Sequence, residues 1–488
     1  MPFGTGCVAG LPRMFNVMVI AVLLDGHHAT PDNKKTGGWC VIAASNTVLE
    51  NKQAGREGWG SGDIGIHHSG WTLTGRQVKC WPSLEESLDT DHVVIGAGLA
   101  GSSLALHLAR QGVAVVVLEA RQPGWGASGR NAGHVLPTLR NLQVFERFPD
   151  RGRRFLSLFD EWHTLPFQLA REYAIDCDAV QSGYLNAMQT PTQLQRFNAS
   201  MRHWQGRQQI YELGAEEMRS MTGSARYPHG VLYASGGRIN PWLFSNGLTN
   251  AAVGHGARVY GDTEALAIQP VGQRWKVITA RGEVTAARVI FCTNAYPTNI
   301  VPAFTNCYYP LTAYALATAP LPEPLREIIM PGRQTLAQVP MDLHPLVIDE
   351  QHRLVTASIP SARRPHDAAW HFRQHLRWIH RTWPEASAFP LELQAYWTGR
   401  VAMRDQQFPG IYEVQPGVYG LMHFNAWGNV MAPLLGKLLG EALAADDLAS
   451  LSFPVQRPQA VSFAGKHELL VRKLLIPAAR LAQRLGVI

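Results

Sequence analysis

The sequence predicts a mixed α/β (α+β) chain in which a nucleotide-binding unit on a parallel sheet is interrupted by an antiparallel-sheet unit. Three observations carry this. Residues 91–119 run an apolar strand (93–95) into a glycine turn, a helical stretch with Leu104 and Leu108 on one face, and a second strand (113–118) ending in Glu119. A second glycine-rich loop follows at 126–134. Stretches of different pattern, with alternating strands at 308–318 and 346–359 and a tryptophan-bearing helical run at 368–383, separate segments that return to the first pattern.

Taken in order, residues 1–89 are rich in Gly, His, Asn and Lys and lack helical or strand periodicity; they read as a disordered extension or a non-native start, without catalytic residues. The apolar run 17–24 is short of the roughly 20 residues that span a bilayer and is followed by Asp25 without a cleavage pattern, so a cytoplasmic protein is expected. The turn Gly96-Ala97-Gly98-Leu99-Ala100-Gly101 is then a Rossmann-like phosphate cradle. Gly96 lets the chain turn off the strand, Gly98 lets backbone approach a pyrophosphate, and Gly101 lets the helix pack against the strand. The unpaired N–H groups of the helix N-terminus favour the anion, and Gly112 is placed to end the helix. Glu119, followed by Ala120 and Arg121, is positioned to accept hydrogen bonds from ribose hydroxyls. An acid there, instead of an arginine, argues against a 2′-phosphate, and so against NADP.

Four segments carry a resemblance. GASGRNAGH (126–134), RWKVITARGEVTAARVIFCTNAYP (274–297), YWTGRVAMRDQQFP (396–409) and GVYGLMHFNAWGNVMAPLLGKLLGEAL (417–443) resemble the D-amino-acid oxidase, glycine oxidase and sarcosine oxidase superfamily of FAD-dependent oxidoreductases, closest in pattern to its gamma-glutamylputrescine oxidase-like members. The resemblance spans about residues 90–460. It implies an FAD-binding domain from 90–172, 237–300 and 396–460, a substrate-binding domain from 173–236 and 301–395 whose sheet covers the flavin ring, and a C-terminal amphipathic helix at 461–488. It further implies that Gly126, Ala127, Ser128, Arg130, Asn131, Ala132 and Gly133 pass along the pyrophosphate and flavin, with Arg130 on the pyrophosphate or bracing the loop. Thr293 and Asn294 would lie under the dinucleotide, and Asn425, Ala426, Trp427, Gly428, Asn429 and Val430 would form the flavin turn. A helix from about 428 through 439 would aim its positive end at the N1 and C2 carbonyl edge of reduced flavin. Since no cysteine follows Cys307, the FAD is expected to be non-covalent, with His134 the other conceivable attachment point.

The chemistry such a chain supports is oxidation of a C–H bond next to nitrogen in an amine or amino acid, with oxygen as the expected acceptor. A D-amino-acid dehydrogenase feeding a membrane quinone and a non-catalytic flavin subunit are the alternatives. The candidate catalytic residues are His134, which could equally be a satisfied loop residue, and Trp397, which could line the ring face or pack in the core. A free amine titrates near ~10, and an aromatic-walled pocket lowers that value toward the neutral, oxidisable form. In the family's amino-acid oxidases an arginine shortly after the Gly of the Trp-x-Gly strand holds the substrate carboxylate. Here the order is Trp397-Thr398-Gly399-Arg400-Val401: the matching position is Val401, and Arg400 falls on the alternate strand face. Loss of that clamp removes about 1.5–3 kcal/mol of amino-acid binding unless Arg140 or Arg353 replaces it, which favours an amine substrate.

A net charge of +7 over 488 residues is mild, and no Lys/Arg block interleaved with aromatics points to nucleic acid. The six cysteines show no CxxC pairing or Cys/His cluster, so no metal and no disulfide framework are expected. Residues 466–488 alternate apolar and basic residues at helical spacing around Pro477. Such a helix can lie on a membrane, but packing on its own domain is the expected arrangement.

Overall fold

The computed structural model describes residues 69–484 apart from 140–141, 202–208, 297–298, 340–341, 405–407 and 463. Residues 1–68, with the run 17–24, Cys7 and Cys40, and Arg140 lie outside the described residues. Two sheets organise the chain. In the first, Ser87–Ile95 lies between Val115–Leu118 and Glu283–Phe291, all parallel, with Arg258–Tyr260 and Val418–Met422 extending the parallel order. The buried stretches 93–95, Val115–Leu118 and 289–291 are unbroken apolar runs because both faces are covered there. Val94, Val117 and Ile290 face the helices Leu99–Arg110, Pro241–Gly254 and Gly428–Ala444, and Val93, Val116 and Phe291 face a layer containing Val277, Val301 and Phe304. This is the α/β nucleotide-binding architecture expected from the sequence.

The second, eight-stranded sheet is mostly antiparallel. It includes Tyr184–Met188, Tyr309–Pro320, Arg353–Ser358 and Leu393–Met403, and its outer face packs against Trp378 and Ile379 of the helix Ala368–Thr382 and against Trp383, which caps that helix. One assignment changes here. The Trp-x-Gly strand, Leu393–Met403, belongs to this sheet, pairing along its length with Tyr309–Pro320, and not to the nucleotide-binding sheet. Of the stretch 396–460, the first strand to join the nucleotide-binding sheet is Gly410–Gln415. Strand membership is set by pairing partners, which local pattern does not specify.

The described part of the expected N-terminal extension is also different from the reading of 1–89. Residues 69–86 run over the body of the protein and are pinned to it. Trp71 is buried, its Nε1 donates to the Asn131 carbonyl (2.7 Å) and its own carbonyl accepts from Asn240 Nδ2 (3.0 Å). A Cβ on Gly70 would lie 2.6 Å from the Trp397 ring, so the segment fits there as glycine. Further along, Trp81 and Gln122 exchange hydrogen bonds between the Trp81 backbone and the Gln122 amide. These contacts join residues far apart in sequence, so the segment has no periodicity of its own to read.

The C-terminal helix runs Ala464–Leu470, a π turn Val471–Leu475, and Ile476–Arg484. Pro477 does not break it, because the wide turn precedes the proline where an ordinary i to i−4 bond would be missing. Its inner row, Val471, Ile476 and Ala479, packs on Leu311, Ile359 and Met403 of the second sheet, as expected for a helix docked on its own domain.

Two buried ion pairs brace this arrangement. Arg353, one of the two arginines proposed above to replace the missing clamp, is instead fully buried: its Nε donates to Asp349 Oδ2 at 2.7 Å and its Nη1 to the Gly70 carbonyl at 3.1 Å. Arg238 meets Asp178 in a two-pronged contact at 2.9 and 3.0 Å, and the strand that carries it pairs with His134–Val135. Burial holds the Asp178 carboxyl above its ordinary range, against the pull of Arg238. Removing one member of such a pair strands a buried charge. Arg238→Met should therefore lower the unfolding free energy by about 3–5 kcal/mol, read from the denaturant midpoint, and adding Asp178→Leu should recover much of it. Equal losses in single and double variants would show that the charge pairing is not what the fold depends on.

Candidate active site

The carboxyl ends of the parallel strands open into a cavity of about 760 Å³ that reaches from the nucleotide-binding sheet to the inner face of the second sheet. Of the residues expected to hold the dinucleotide, Gly96, Gly98, Leu99, Ala100, Glu119, Ala120, Arg121, Gly126, Ala127, Ser128, Arg130, Asn131, Ala132, Thr293, Asn294, Ala426, Trp427, Gly428, Asn429 and Val430 line it, as does His134. Ala97, Gly101, Gly133 and Asn425 do not line it. Gly101 is required by close approach: a Cβ there would sit 1.9 Å from the Gly96 carbonyl oxygen. A Cβ on Gly98 would meet Ser128 Oγ at 2.7 Å, so the two glycine-rich loops touch at that point.

Glu119 has two tasks. Its carboxylate accepts from the Ala97 N–H (2.8 Å) and the Arg121 N–H (3.0 Å), which ties the strand end to the glycine turn. Four lone-pair positions leave capacity for ribose hydroxyls as well. Desolvation pushes its pKa up, opposed by those two N–H donors.

Two helix N-termini open on the cavity. Leu99–Arg110 and Gly428–Ala444 start at its wall and pack side by side, with Gly436 so close to the first helix that a Cβ would lie 2.8 Å from the Ala100 carbonyl. Ser103 Oγ donates to the Pro433 carbonyl (2.8 Å), which answers an acceptor in the helix interior. Together the two termini present unpaired N–H groups and positive dipole ends to one space, a setting for a pyrophosphate and for charge on a reduced ring. The turn before the second helix is held in a sparsely populated backbone form, with φ of 66° at His423, 52° at Asn425 and 58° at Ala426. Such residues cost about 1–3 kcal/mol each and persist where the surroundings fix them. Here Asn294 Oδ1 accepts from the His423 N–H, and Asn425 Oδ1 from the Arg404 N–H.

The loop over the cavity is held on three sides. Asn131 and Asn429 exchange side-chain hydrogen bonds at 2.9 and 3.0 Å, and Asn429 Nδ2 also reaches the His134 carbonyl (2.8 Å). Arg130 donates from Nε to the Trp125 carbonyl and from Nη1 to the Thr398 carbonyl, and its guanidinium stacks over the Trp125 ring. Burial pulls the Arg130 pKa down from its ordinary value. This geometry makes Arg130 a loop brace. Trp397 requires correction: it is 0% exposed and does not line the cavity, its Nε1 donating instead to the Arg130 carbonyl at 2.9 Å. Its task is to place the loop from behind. His134 stays on the wall, edge to face with Tyr184.

Several lining residues were not foreseen. Tyr184, Tyr296, Ala313, Ala315, Ala357 and Asp342 belong to the second sheet or its connections, and Asp262 to Leu266 lie near Glu119. The alternation of alanines at 313, 315 and 317 marks one strand face. Val401 lines the cavity, and Arg400, expected on the alternate face, lies on its wall too, at an exposed position. Cys292 is buried at the wall with its thiol pushed up by desolvation. Among the described residues no group of His, Cys, Asp and Glu could hold a metal.

The comparisons agree with this geometry. Residues 91–442 match the family model described as FAD dependent oxidoreductase, DAO. Gamma-glutamylputrescine oxidoreductase of Escherichia coli (strain K12) is 30% identical over 372 residues, covering 75% of this chain and 86% of that protein. A probable oxidoreductase, OrdL, of Rhizobium meliloti (strain 1021) is 28% identical over 79% of this chain and 92% of that one. Among solved structures, glycine oxidase from Bacillus cereus ATCC 14579 superposes with a TM-score of 0.59 at 20% identity over 73% of this chain and 95% of that chain. Paired helix N-termini at a glycine cradle, an acid at the second strand end and a family match over most of the length lead to one conclusion: the chain belongs to the DAO family of FAD-dependent oxidoreductases and uses FAD as its cofactor.

Proposed function

We propose that this protein oxidises the C–N bond of an amine, with oxygen as electron acceptor. The observation that carries the reading is the composition of the cavity wall on the second sheet: Ala313, Ala315, Ala357 and Val401 where an amino-acid oxidase of the family would present an arginine for the carboxylate. The name of the gamma-glutamylputrescine relative supports an amine in the same sense.

When bound, FAD would supply the two-electron oxidising chemistry at the carbon next to nitrogen. The protein's share is placement and desolvation. The small apolar wall and Tyr184 and Tyr296 strip water from the amine, which favours its neutral form and frees the nitrogen lone pair. The N-terminus of Gly428–Ala444 stabilises negative charge at its end of the cavity. His134 offers a polar ring next to Tyr184 for a proton at the substrate nitrogen. Water then hydrolyses the released imine to a carbonyl compound and ammonia or a smaller amine. Val401 fills the position at which the family's amino-acid oxidases carry the carboxylate's arginine, Arg353 is committed to Asp349, and Arg400 reaches the wall one residue earlier, at an exposed position.

Anaerobic mixing with polyamines and their conjugates should bleach the flavin absorbance, while simple D-amino acids do so slowly or not at all; the reverse order would overturn the amine reading. Oxygen uptake in the same preparation checks the acceptor. Gly98→Val should abolish flavin retention, because a side chain there collides with Ser128 and disturbs the bond that Ser128 Oγ accepts from the Leu99 N–H; full occupancy in that variant would sink the assignment of this loop. Acid precipitation should leave the yellow colour in the supernatant, as Cys292 is the one cysteine among the described residues that lines the cavity and burial pushes its thiol up; colour in the pellet would mean a covalent bond.

A further inference from the structure

The C-terminal helix has a second apolar row that its packing does not use. Opposite the inner residues Val471, Ile476 and Ala479, the side chains of Leu469 (52% exposed), Leu470 (36%), Leu474 (58%) and Leu481 (56%) face solvent, with Pro477 and Ala478 exposed between them. Nine large apolar side chains are exposed among the described residues, and four of them fall within these 13 positions. The other five are scattered over distant parts of the chain, as isolated exposed hydrophobes commonly are. A row at helical spacing along about 20 Å is a face and not a scatter.

The charges on the same element indicate what covers it. Residues 464–484 hold Lys466, Arg472, Lys473, Arg480 and Arg484 against the single acid Glu468. Glu468 is turned inward, where it accepts from the Thr312 N–H and pairs with Arg472. Lys466 and Lys473 are exposed beside the leucines. A second copy docking through this face around a two-fold axis would set one basic element against an identical basic element, which like-charge repulsion opposes. A sheet of anionic headgroups over an apolar layer complements both features at once.

We propose that this helix face docks the protein on the surface of an anionic lipid bilayer, with the leucines at the boundary between headgroups and acyl chains. No crossing of the bilayer is involved. The face is close to the cavity, since Ala313 and Val401 line the cavity and also touch the cluster formed by the inner row of the helix. The proposal stands apart from the choice of substrate, and flavin bleaching by amines, measured without vesicles, reads that choice independently.

Co-sedimentation of the full-length, flavin-loaded protein with phosphatidylglycerol-containing vesicles tests it. The protein should pellet with these vesicles at low salt, at least tenfold less with pure phosphatidylcholine, and progressively less as salt rises. Lys473→Gln should weaken binding about fivefold, the contribution of one basic residue at such a surface. Leu470→Glu with Leu474→Glu should abolish it while flavin absorbance and melting temperature stay unchanged, because both positions are exposed. Failure to pellet with anionic vesicles, or pelleting that survives the double substitution, would overturn the proposal. So would a soluble dimer, seen by sedimentation velocity, that ignores vesicles and dissociates in the double variant.

Discussion

The amide pair Asn131–Asn429 is the contact on which the site depends. Two side chains 298 positions apart each donate to and accept from the other, and the same pair satisfies the Gly133 N–H and the His134 carbonyl. It fixes the second glycine-rich loop to the first turn of Gly428–Ala444, so the cavity roof and the positive helix end keep one spacing. An amide is suited to this because it offers both donor and acceptor. A carboxylate at either position would lose the donors and bring negative charge to the place where a reduced flavin develops its own.

Around that pair, indoles do the positioning. Trp71 donates to the Asn131 carbonyl and Trp397 to the Arg130 carbonyl, so successive peptide groups of one loop are held from the N-terminal segment and from the second sheet. Glycines then permit the approach of backbone to backbone, at Gly101 against Gly96 and at Gly436 against Ala100. The cofactor cradle is made of main chain, and side chains serve mainly to hold that main chain still.

This division explains what the sequence disclosed. The glycine turn, Glu119 and the helix start at Gly428 are local signals, since strand, turn and cap each leave a mark within a few residues, and the structure has them where expected. For Trp397 the motif leaves the ring face and the core both open, and strand pairing turns its ring toward Trp71 and the back of the loop. Residues 69–86 have no periodicity because the contacts that bury Trp71 and Trp81 are to distant segments. Val401 was legible by position, and Tyr184, Ala313 and Ala357 were not, because only the strand order of the second sheet brings them to the same cavity.

The order of strands has a consequence for how the protein is made. Ser87–Ile95 pairs with Glu283–Phe291, and that strand with Val418–Met422, so the central sheet cannot close until some 330 residues after its first strand have left the ribosome. During synthesis the apolar strand Val115–Leu118 and its neighbours wait without their covering helix Gly428–Ala444. Pairings this distant in sequence form slowly and leave sticky edges open meanwhile. Yield in a cell is therefore governed by chaperone supply and translation speed as much as by the stability of the finished molecule.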